Sequence, residues 1–379
     1  MSYTQKDLHD LIADIPELDG RAMAAAEKRL DALAKPPGSL GRLESLAVQL
    51  AGITASAHNH IQKKTLLVFC ADNGVVSEGV ASAPQSVTLA QTINLTRGKT
   101  GAAVLAGRFG CDVRVCDVGV NADIAEPAVI ARKIGYGTAN ITKGPAMTQS
   151  QALQAILTGA ALAEESVQNG AQVIGIGEMG IGNTTTSAAV LAVLTGSDVK
   201  TVTGRGAGLI DAAYRKKIDV IERAIRLNRP DPADVVDVMA KVGGFDIAAM
   251  CGAFLGAAKM RVPAVIDGFI SAVAALCAVR LCPRVRAFLI PSHGSAEIGS
   301  RIAMDTLGLR PMLDLDMRLG EGSGCPLAML LLDAACAVMN DMATFDEADI
   351  NDDYLEPIRN IDAFSVKGNG YERTDLRRM

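Results

Sequence analysis

Residues Thr65-Leu-Leu-Val-Phe-Cys-Ala-Asp-Asn-Gly74 decide the fold. Apolar and β-branched residues give way abruptly to small polar ones, which is typical of a strand that is buried on both faces and ends in a loop. Helical sequence separates this run from others of the same form: Asp112–Val120, Gln172–Gly177, Ala264–Asp267, Arg286–Ile290 and Pro311–Leu315. The pattern predicts an α/β fold with a parallel, Rossmann-like six-stranded sheet and helices on both faces.

Both ends of the chain have helical periodicity instead, and the breaker Lys35-Pro-Pro-Gly-Ser-Leu-Gly41 interrupts the first of them. We therefore expect a small helical domain from residues 1–64 and 325–379. Residues 65–324 are expected to form a large α/β catalytic domain.

Composition narrows the class of protein. The chain has 379 residues, 49% of them hydrophobic, and a formal net charge of -5. Its longest basic run is Arg215-Lys-Lys217, so a nucleic-acid surface is not expected. The polar start lacks a secretory signal, which predicts a cytoplasmic protein, and the apolar segment 269–279 is too short for a membrane span. The eight cysteines include no Cys-x-x-Cys pair. No histidine lies close enough to them to complete a set of metal ligands, so no metal site is predicted. No cofactor is predicted either.

One acidic residue lies between glycines in Met317-Arg-Leu-Gly-Glu-Gly-Ser-Gly-Cys-Pro326. Glycines allow a substrate to approach closely, and the apolar neighbours of Glu321 favour its protonated form. Glu321 is thus a candidate general base. The alternative is a glycine-rich turn with a solvated glutamate.

A second candidate region follows the predicted strand at residues 172–177. Gly175-Ile-Gly-Glu-Met-Gly180 matches a dinucleotide fingerprint, but the hydroxyl-rich Ile181–Ser187 after it suits a phosphate at a helix N-terminus. Gly204-Arg-Gly-Ala-Gly208 and Lys217 could complete a phosphate site. The alternatives are an ordinary Ser/Thr helix cap and a surface lysine. With Glu178 and Glu321 at the same sheet edge, the pattern favours base-assisted attack on a phosphorylated sugar.

These motifs resemble the nicotinate-nucleotide:dimethylbenzimidazole phosphoribosyltransferase family. The segments that carry the resemblance are Lys35–Glu44, Cys70–Asp72, Glu78–Val80, Thr96–Gly98, Gly144–Met147, Gly177–Gly180, Asn183–Thr185, Val242–Asp246, Asp267–Phe269, Ile290–His293 and Met317–Gly324. The resemblance implies transfer of phosphoribose from nicotinate mononucleotide to 5,6-dimethylbenzimidazole, which gives α-ribazole 5'-phosphate and nicotinate for the cobalamin nucleotide loop. It also implies a homodimer. One departure is Asn73, which stands where many relatives have histidine.

The resemblance also implies roles for individual residues. Glu321 matches the general base and Glu178 a second acidic position, Gln91 a position beside the benzimidazole, and Lys217 and Ser295 phosphate contacts. The remaining residues expected to bind substrate are Gly177, Gly180, Asn183, Thr184, Gly204, Leu319 and Gly320. Two competing hypotheses are an NAD-binding dehydrogenase, based on the glycine fingerprint, and a nucleotide-binding protein without catalytic activity.

Overall fold

The structure is a computed structural model that describes residues 3–358 and residue 361. Within this part of the chain, six parallel strands form one sheet in the order β3-β2-β1-β4-β5-β6. The predicted parallel α/β sheet is therefore confirmed. The strands are β1 (Lys64–Ala71), β2 (Cys111–Gly119), β3 (Val129–Ala131), β4 (Val173–Met179), β5 (Ala264–Ile266) and β6 (Leu289–Pro291).

In the described part of the chain, helices precede β1, connect most of the successive strands and follow β6. They are α1 (Gln5–Ala13), α2 (Gly20–Ala32), α3 (Arg42–Thr54), α4 (Ser86–Thr96), α5 (Gly101–Arg108), α6 (Gln149–Gln168), α7 (Asn183–Thr195), α8 (Val199–Val202), α9 (Asp211–Asn228), α10 (Val235–Val242), α11 (Phe245–Lys259), α12 (Phe269–Leu281), α13 (Ile298–Leu307) and α14 (Cys325–Asp341).

One predicted strand is wrong, and one observed strand was not predicted. Pro311–Leu315 forms only an isolated bridge, between Leu313 and His293, because its backbone bonds to the loop after β6 instead of extending the sheet. The sixth strand is β3, which pairs with β2 at the sheet edge. The predicted strand Arg286–Ile290 is also shifted, because Pro283–Phe288 forms a 3₁₀ helix before β6 begins.

The strand order positions the ligand site. The chain starts in the middle of the sheet at β1, adds β2 and β3 on one side, and then crosses to add β4 on the other. At such a switch point the connections leave in opposite directions and open a crevice at the carboxyl ends of the strands. The polar residues that end or follow these strands, Asp72, Glu178, Asp267 and Ser292, therefore meet at one edge.

The core is buried on both faces of the sheet. Every residue from Thr65 to Ala71 is at most 2% exposed, which requires cover on each side of β1. Helix α11 is buried from Phe245 to Ala258, as expected for a helix that is apolar all round. Among the described residues, no helix combines the length and apolarity that a membrane span requires.

Helices α6 and α11 approach each other through glycines. A Cβ atom on Gly159 would lie 1.8 Å from the carbonyl oxygen of Ala249, and one on Gly252 would lie 1.7 Å from that of Ile156. Two helix backbones can approach this closely only where side chains are absent. The pair therefore forms a tightly packed layer against the sheet, where α11 contacts β1, β2 and β4.

The chain divides into two compact units. The larger contains Met1–Pro16 and Lys63–Ala328, and therefore the whole sheet. The sequence places the first helix in the small domain, but the apolar face of α1 packs on α6 and α11, so it belongs to the larger unit. The predicted boundaries at residues 64 and 325 otherwise remain a proposal, and residues after 361 lie outside the described chain.

The smaller unit combines Glu17–Gln62 with the described part of Met329–Met379. Its helices α2 and α3 pack together, and the backbone of Leu33 pairs with that of Thr344. The predicted breaker contributes a buried ion pair, in which Lys35 Nζ lies 2.8 Å from Glu44 Oε1.

We expect Gly252→Ala to lower the free energy of unfolding by roughly 3 kcal/mol, because the added methyl group would overlap the α6 backbone. Equilibrium unfolding in denaturant measures this change. The matched control is Gly107→Ala in α5, where a Cβ atom would meet nothing within 4 Å. This control should instead stabilise the protein by about 0.5–1 kcal/mol. Equal effects of the two substitutions would contradict the close packing.

Candidate active site

A cleft of about 270 Å³ opens at the carboxyl edge of the sheet, within the larger unit. The loops after β1, β4, β5 and β6 and the loop before α14 line it. Its polar and charged lining comes from Ser82, Gln91, Glu178, Asn183, Thr184, Arg205, Asp267, Ser271, His293, Ser295, Glu297, Arg318 and Glu321.

Glu321 is held in an uncommon backbone conformation. Its φ is +62°, between Gly320 at +82° and Gly322 at +84°. A left-handed conformation costs a non-glycine residue roughly 1–2 kcal/mol, so the surrounding contacts must impose it. The Asp267 carboxylate provides such contacts, because it accepts hydrogen bonds from Gly322 N at 3.0 Å and from Gly324 N at 2.7 Å.

The Glu321 carboxyl group is almost fully buried, at 5% exposure, and still lines the cleft. It accepts hydrogen bonds from Ala102 N at 3.3 Å and from Gln91 Nε2 at 3.4 Å. Asn94 in turn orients Gln91 by donating to its Oε1 at 2.9 Å. Burial raises the pKa of Glu321, and the Ala102 amide partly opposes this rise. The solvated-turn alternative is therefore wrong for this residue.

Two glycines allow the loop to approach the sheet. A Cβ atom on Gly177 in β4 would lie 2.5 Å from Gly322 N, and one on Gly320 would lie 2.5 Å from Glu178 Oε1. Gly177 thus acts from behind the cleft, by giving the loop room. Because β4 extends to Met179, Gly175 and Gly177 lie inside a strand rather than in a strand-to-helix turn. The dinucleotide fingerprint is therefore not formed.

Glu178 lies beside Glu321 and is also buried. Its Oε1 accepts a 3.4 Å hydrogen bond from Glu321 N, and its Oε2 accepts one from the side-chain amide of Asn183. Burial, together with the charge of Asp246, raises the pKa of Glu178 to about 8. At neutral pH this carboxyl group is therefore mainly neutral, and it does not add a second full negative charge beside Glu321.

A buried polar network behind Glu178 was not predicted. Asn183 Nδ2 donates to Asp246 Oδ2 at 3.1 Å, and Asn73 Nδ2 donates to the same oxygen at 3.5 Å. Thr186 Oγ1 donates to Asn73 Oδ1 at 3.1 Å. Burial raises the pKa of Asp246 to about 6. Asp246 belongs to a motif of the family resemblance, but its role depends on a long-range contact that sequence spacing does not reveal.

Cationic and hydroxyl donors lie at and directly behind the part of the cleft that Thr184 and Gly206 line. Lys217 on α9 is fully buried, which rules out the surface-lysine alternative. Its Nζ donates to Thr184 Oγ1 at 2.9 Å and to the Gly204 carbonyl at 3.1 Å. Asn183 and Thr184 begin α7, whose N-terminus favours an anion. Together these groups can bind a phosphate.

The structure brings the predicted residues together. The predicted residues that line the cleft are Gln91, Glu178, Gly180, Asn183, Thr184, Ser295, Leu319, Gly320 and Glu321. Gly177, Gly204 and Lys217 lie just behind this lining and contact residues that form it. Leu319 is 57% exposed, so it lies at the mouth. In the described chain, no group of three or more His, Cys, Asp or Glu could hold a metal ion.

A family model described as phosphoribosyltransferase, DBI_PRT, matches residues 15–350. The chain belongs to this family. Among the relatives of this phosphoribosyltransferase, the nicotinate-nucleotide–dimethylbenzimidazole phosphoribosyltransferase of Ruminiclostridium cellulolyticum is 52% identical over 90% of this chain and 97% of its own. The protein of the same name from Clostridium perfringens is 49% identical over 95% of this chain and 99% of its own.

This chain is also similar to solved structures. CobT from Thermus thermophilus matches with a TM-score of 0.84 and 40% identity, and the match covers 88% of this chain and 99% of that one. The predicted enzyme class and family are therefore confirmed.

We expect Glu178→Gln to reduce the loss of stability on going from pH 5.5 to pH 8.5. Between the ordinary pKa of 4.5 and the folded value of about 8, the folded state retains a proton that the unfolded chain releases. The free energy of unfolding therefore falls as pH rises through this range. Thermal unfolding at both pH values measures the difference. Glu222→Gln, an exposed change on α9, is the control, and an equal fall in wild type and Glu178→Gln would refute a raised pKa.

Proposed function

We propose that this phosphoribosyltransferase transfers phosphoribose from nicotinate mononucleotide to 5,6-dimethylbenzimidazole, giving α-ribazole 5'-phosphate and nicotinate for the cobalamin nucleotide loop. The observation that carries the proposal is the buried Glu321 carboxyl group, held in the cleft between Gln91 and the Ala102 amide. The names of the relatives support the choice of substrates.

The reaction requires one base. A benzimidazole ring nitrogen attacks the anomeric carbon, and the bond from that carbon to the pyridinium nitrogen breaks with its electron pair on the pyridine. The leaving ring nitrogen becomes neutral and needs no acid. The other benzimidazole nitrogen gives its proton to Glu321, whose pKa is raised by burial, which makes it a stronger base than an exposed glutamate.

Glu178 and the Gln91 amide prepare this base. A neutral Glu178 avoids repulsion with an ionised Glu321 while accepting the hydrogen bond of the Glu321 amide. Gln91 donates to Oε1 of Glu321 and thereby fixes the direction of the carboxylate. Holding both rings about the sugar supplies the remaining rate enhancement through proximity.

The phosphate of the substrate binds at the opposite end of the cleft. We assign its contacts to Lys217, Ser295, Thr184 and the N-terminus of α7. This arrangement fixes the ribose between the phosphate and Glu321. The family resemblance further supports a homodimer as part of the proposal.

We expect Glu321→Gln to lower kcat by at least about 100-fold, because an amide cannot accept the benzimidazole proton. Binding of nicotinate mononucleotide should stay within about threefold of wild type, because the isosteric amide preserves the loop. Chromatography of nicotinate and the riboside, without added metal, measures turnover, and calorimetry measures binding.

The control for this experiment is Glu222→Gln, which lies on the exposed face of α9 and should leave turnover unchanged. Near-normal turnover by Glu321→Gln would exclude Glu321 as the base. Nicotinate release without riboside formation by the wild-type enzyme would exclude the proposed acceptor.

A further inference from the structure

Glu297 is a buried carboxylate at the phosphate end of the cleft to which neither the sequence nor the family resemblance assigns a role. It directly precedes α13, lines the cleft and is 8% exposed. Among the described residues, its Oε2 has no hydrogen-bond partner. Burial of a carboxylate oxygen without a hydrogen-bond partner destabilises the folded state, so such a group requires an explanation.

Gly204 places this carboxylate close to the buried lysine. A Cβ atom on Gly204 would lie only 1.8 Å from Glu297 Oε2, so the carboxylate packs directly against the glycine backbone. The carbonyl oxygen of the same glycine accepts the 3.1 Å hydrogen bond of Lys217 Nζ. Glu297 and Lys217 therefore both contact Gly204, and any side chain at that position would separate the carboxylate from it.

The hydrogen-bond partners of the Lys217 ammonium group do not neutralise its positive charge. Thr184 and Gly204 take two of its three hydrogens, and both partners are neutral. Burial lowers the pKa of Lys217 to about 8, and the negative charge of Glu297 opposes this fall. Without such a charge the lysine would lose its proton at still lower pH.

Other charged groups lie on the elements around Lys217, but none of them perturbs its pKa as Glu297 does. Helix α9 packs against α7, α8 and α10, and α7 carries no charged residue. Apart from Lys217 and Glu297, the charged and titratable groups on α8, α9 and α10 and along the cleft are Lys200, Asp211, Tyr214, Arg215, Lys216, Asp219, Glu222, Arg223, Arg226, Asp237, Lys241, Glu178, Arg205, Asp267, His293, Arg318 and Glu321.

We propose that Glu297 is a positioning residue for phosphate binding, which acts across Gly204 as the counter-ion that keeps the buried Lys217 charged. The proposal rests on the proposed function, because it takes the substrate phosphate as the ligand of Lys217. It explains why an acidic residue lies in a pocket for an anion. The net effect is an ammonium group that stays charged, and so able to bind a phosphate, into mildly alkaline solution.

The test is the pH dependence of nicotinate mononucleotide binding, measured by calorimetry from pH 7 to pH 10 without an acceptor. Over this range the phosphate is already a dianion, because its second pKa is about 6. Wild-type affinity should fall above pH 8. In Glu297→Gln the fall should begin about one pH unit lower, so that affinity near pH 8 drops roughly fivefold to tenfold. Glu297→Asp keeps the negative charge, so its pH dependence of binding should lie closer to that of the wild type than that of Glu297→Gln does.

A second pair of variants distinguishes the titration of Lys217 from that of Glu178, whose pKa lies in the same pH range. In Lys217→Arg the guanidinium stays charged, so adding Glu297→Gln should leave the pH profile unchanged. Glu222→Gln is the control for the loss of a carboxylate elsewhere. An unchanged profile in Glu297→Gln would overturn the proposal, as would tighter binding at every pH, which would mean that Glu297 repels the phosphate.

The two proposals fail in different ways. If the wild-type enzyme forms the riboside and the pH profile of binding is unshifted in Glu297→Gln, only the role of Glu297 is refuted. If the pH profile is shifted in Glu297→Gln but the wild-type enzyme forms no riboside, the proposed reaction is refuted, whereas a phosphate site that depends on Glu297 is retained.

Discussion

The architecture of the active site depends on the attachment of the Gly320–Gly324 loop to the ends of β4 and β5. Asp267 binds two amides of the loop, and Gly177 leaves room for its backbone against the sheet. Together with Glu178, which accepts a hydrogen bond from the Glu321 amide, Asp267 therefore holds the segment that carries Glu321. Without this attachment the unfavourable φ of Glu321 would relax, and its side chain would no longer be directed by Gln91 and Ala102.

The cleft contains several acidic groups. Their different surroundings give them different pKa values, which reduces the repulsion between them. Both Asp267 and Glu178 are buried, but Asp267 accepts hydrogen bonds from the amides of Gly322 and Gly324, whereas Glu178 shares the side-chain amide of Asn183 with Asp246. The pKa values of about 8 for Glu178 and about 6 for Asp246 imply that these neighbours are rarely both charged near neutral pH. Such separation of pKa values allows one carboxylate to act as base while another stays neutral.

Much of this could be predicted from the sequence, because long apolar runs and the polar loops after them follow from local chemistry. Strand β3 was missed because no helix separates it from β2, so it lies outside the alternation of strands and helices that revealed the equally short β5 and β6. Pro311–Leu315 was misassigned because its apolar composition resembles a strand, while its partner is a loop. The burial of Lys217 and the contact between Glu297 and Gly204 join distant parts of the chain. Periodicity along one element cannot reveal such contacts.

The backbone conformation of Glu321 has a consequence for how this enzyme can change. A position with φ of +62° is energetically best filled by glycine or asparagine, so the carboxylate is kept at the expense of folding stability. Selection for folding stability alone would favour replacement of Glu321. Under the proposed function, a homologue with glycine at this position would lack the proton acceptor and would gain folding stability.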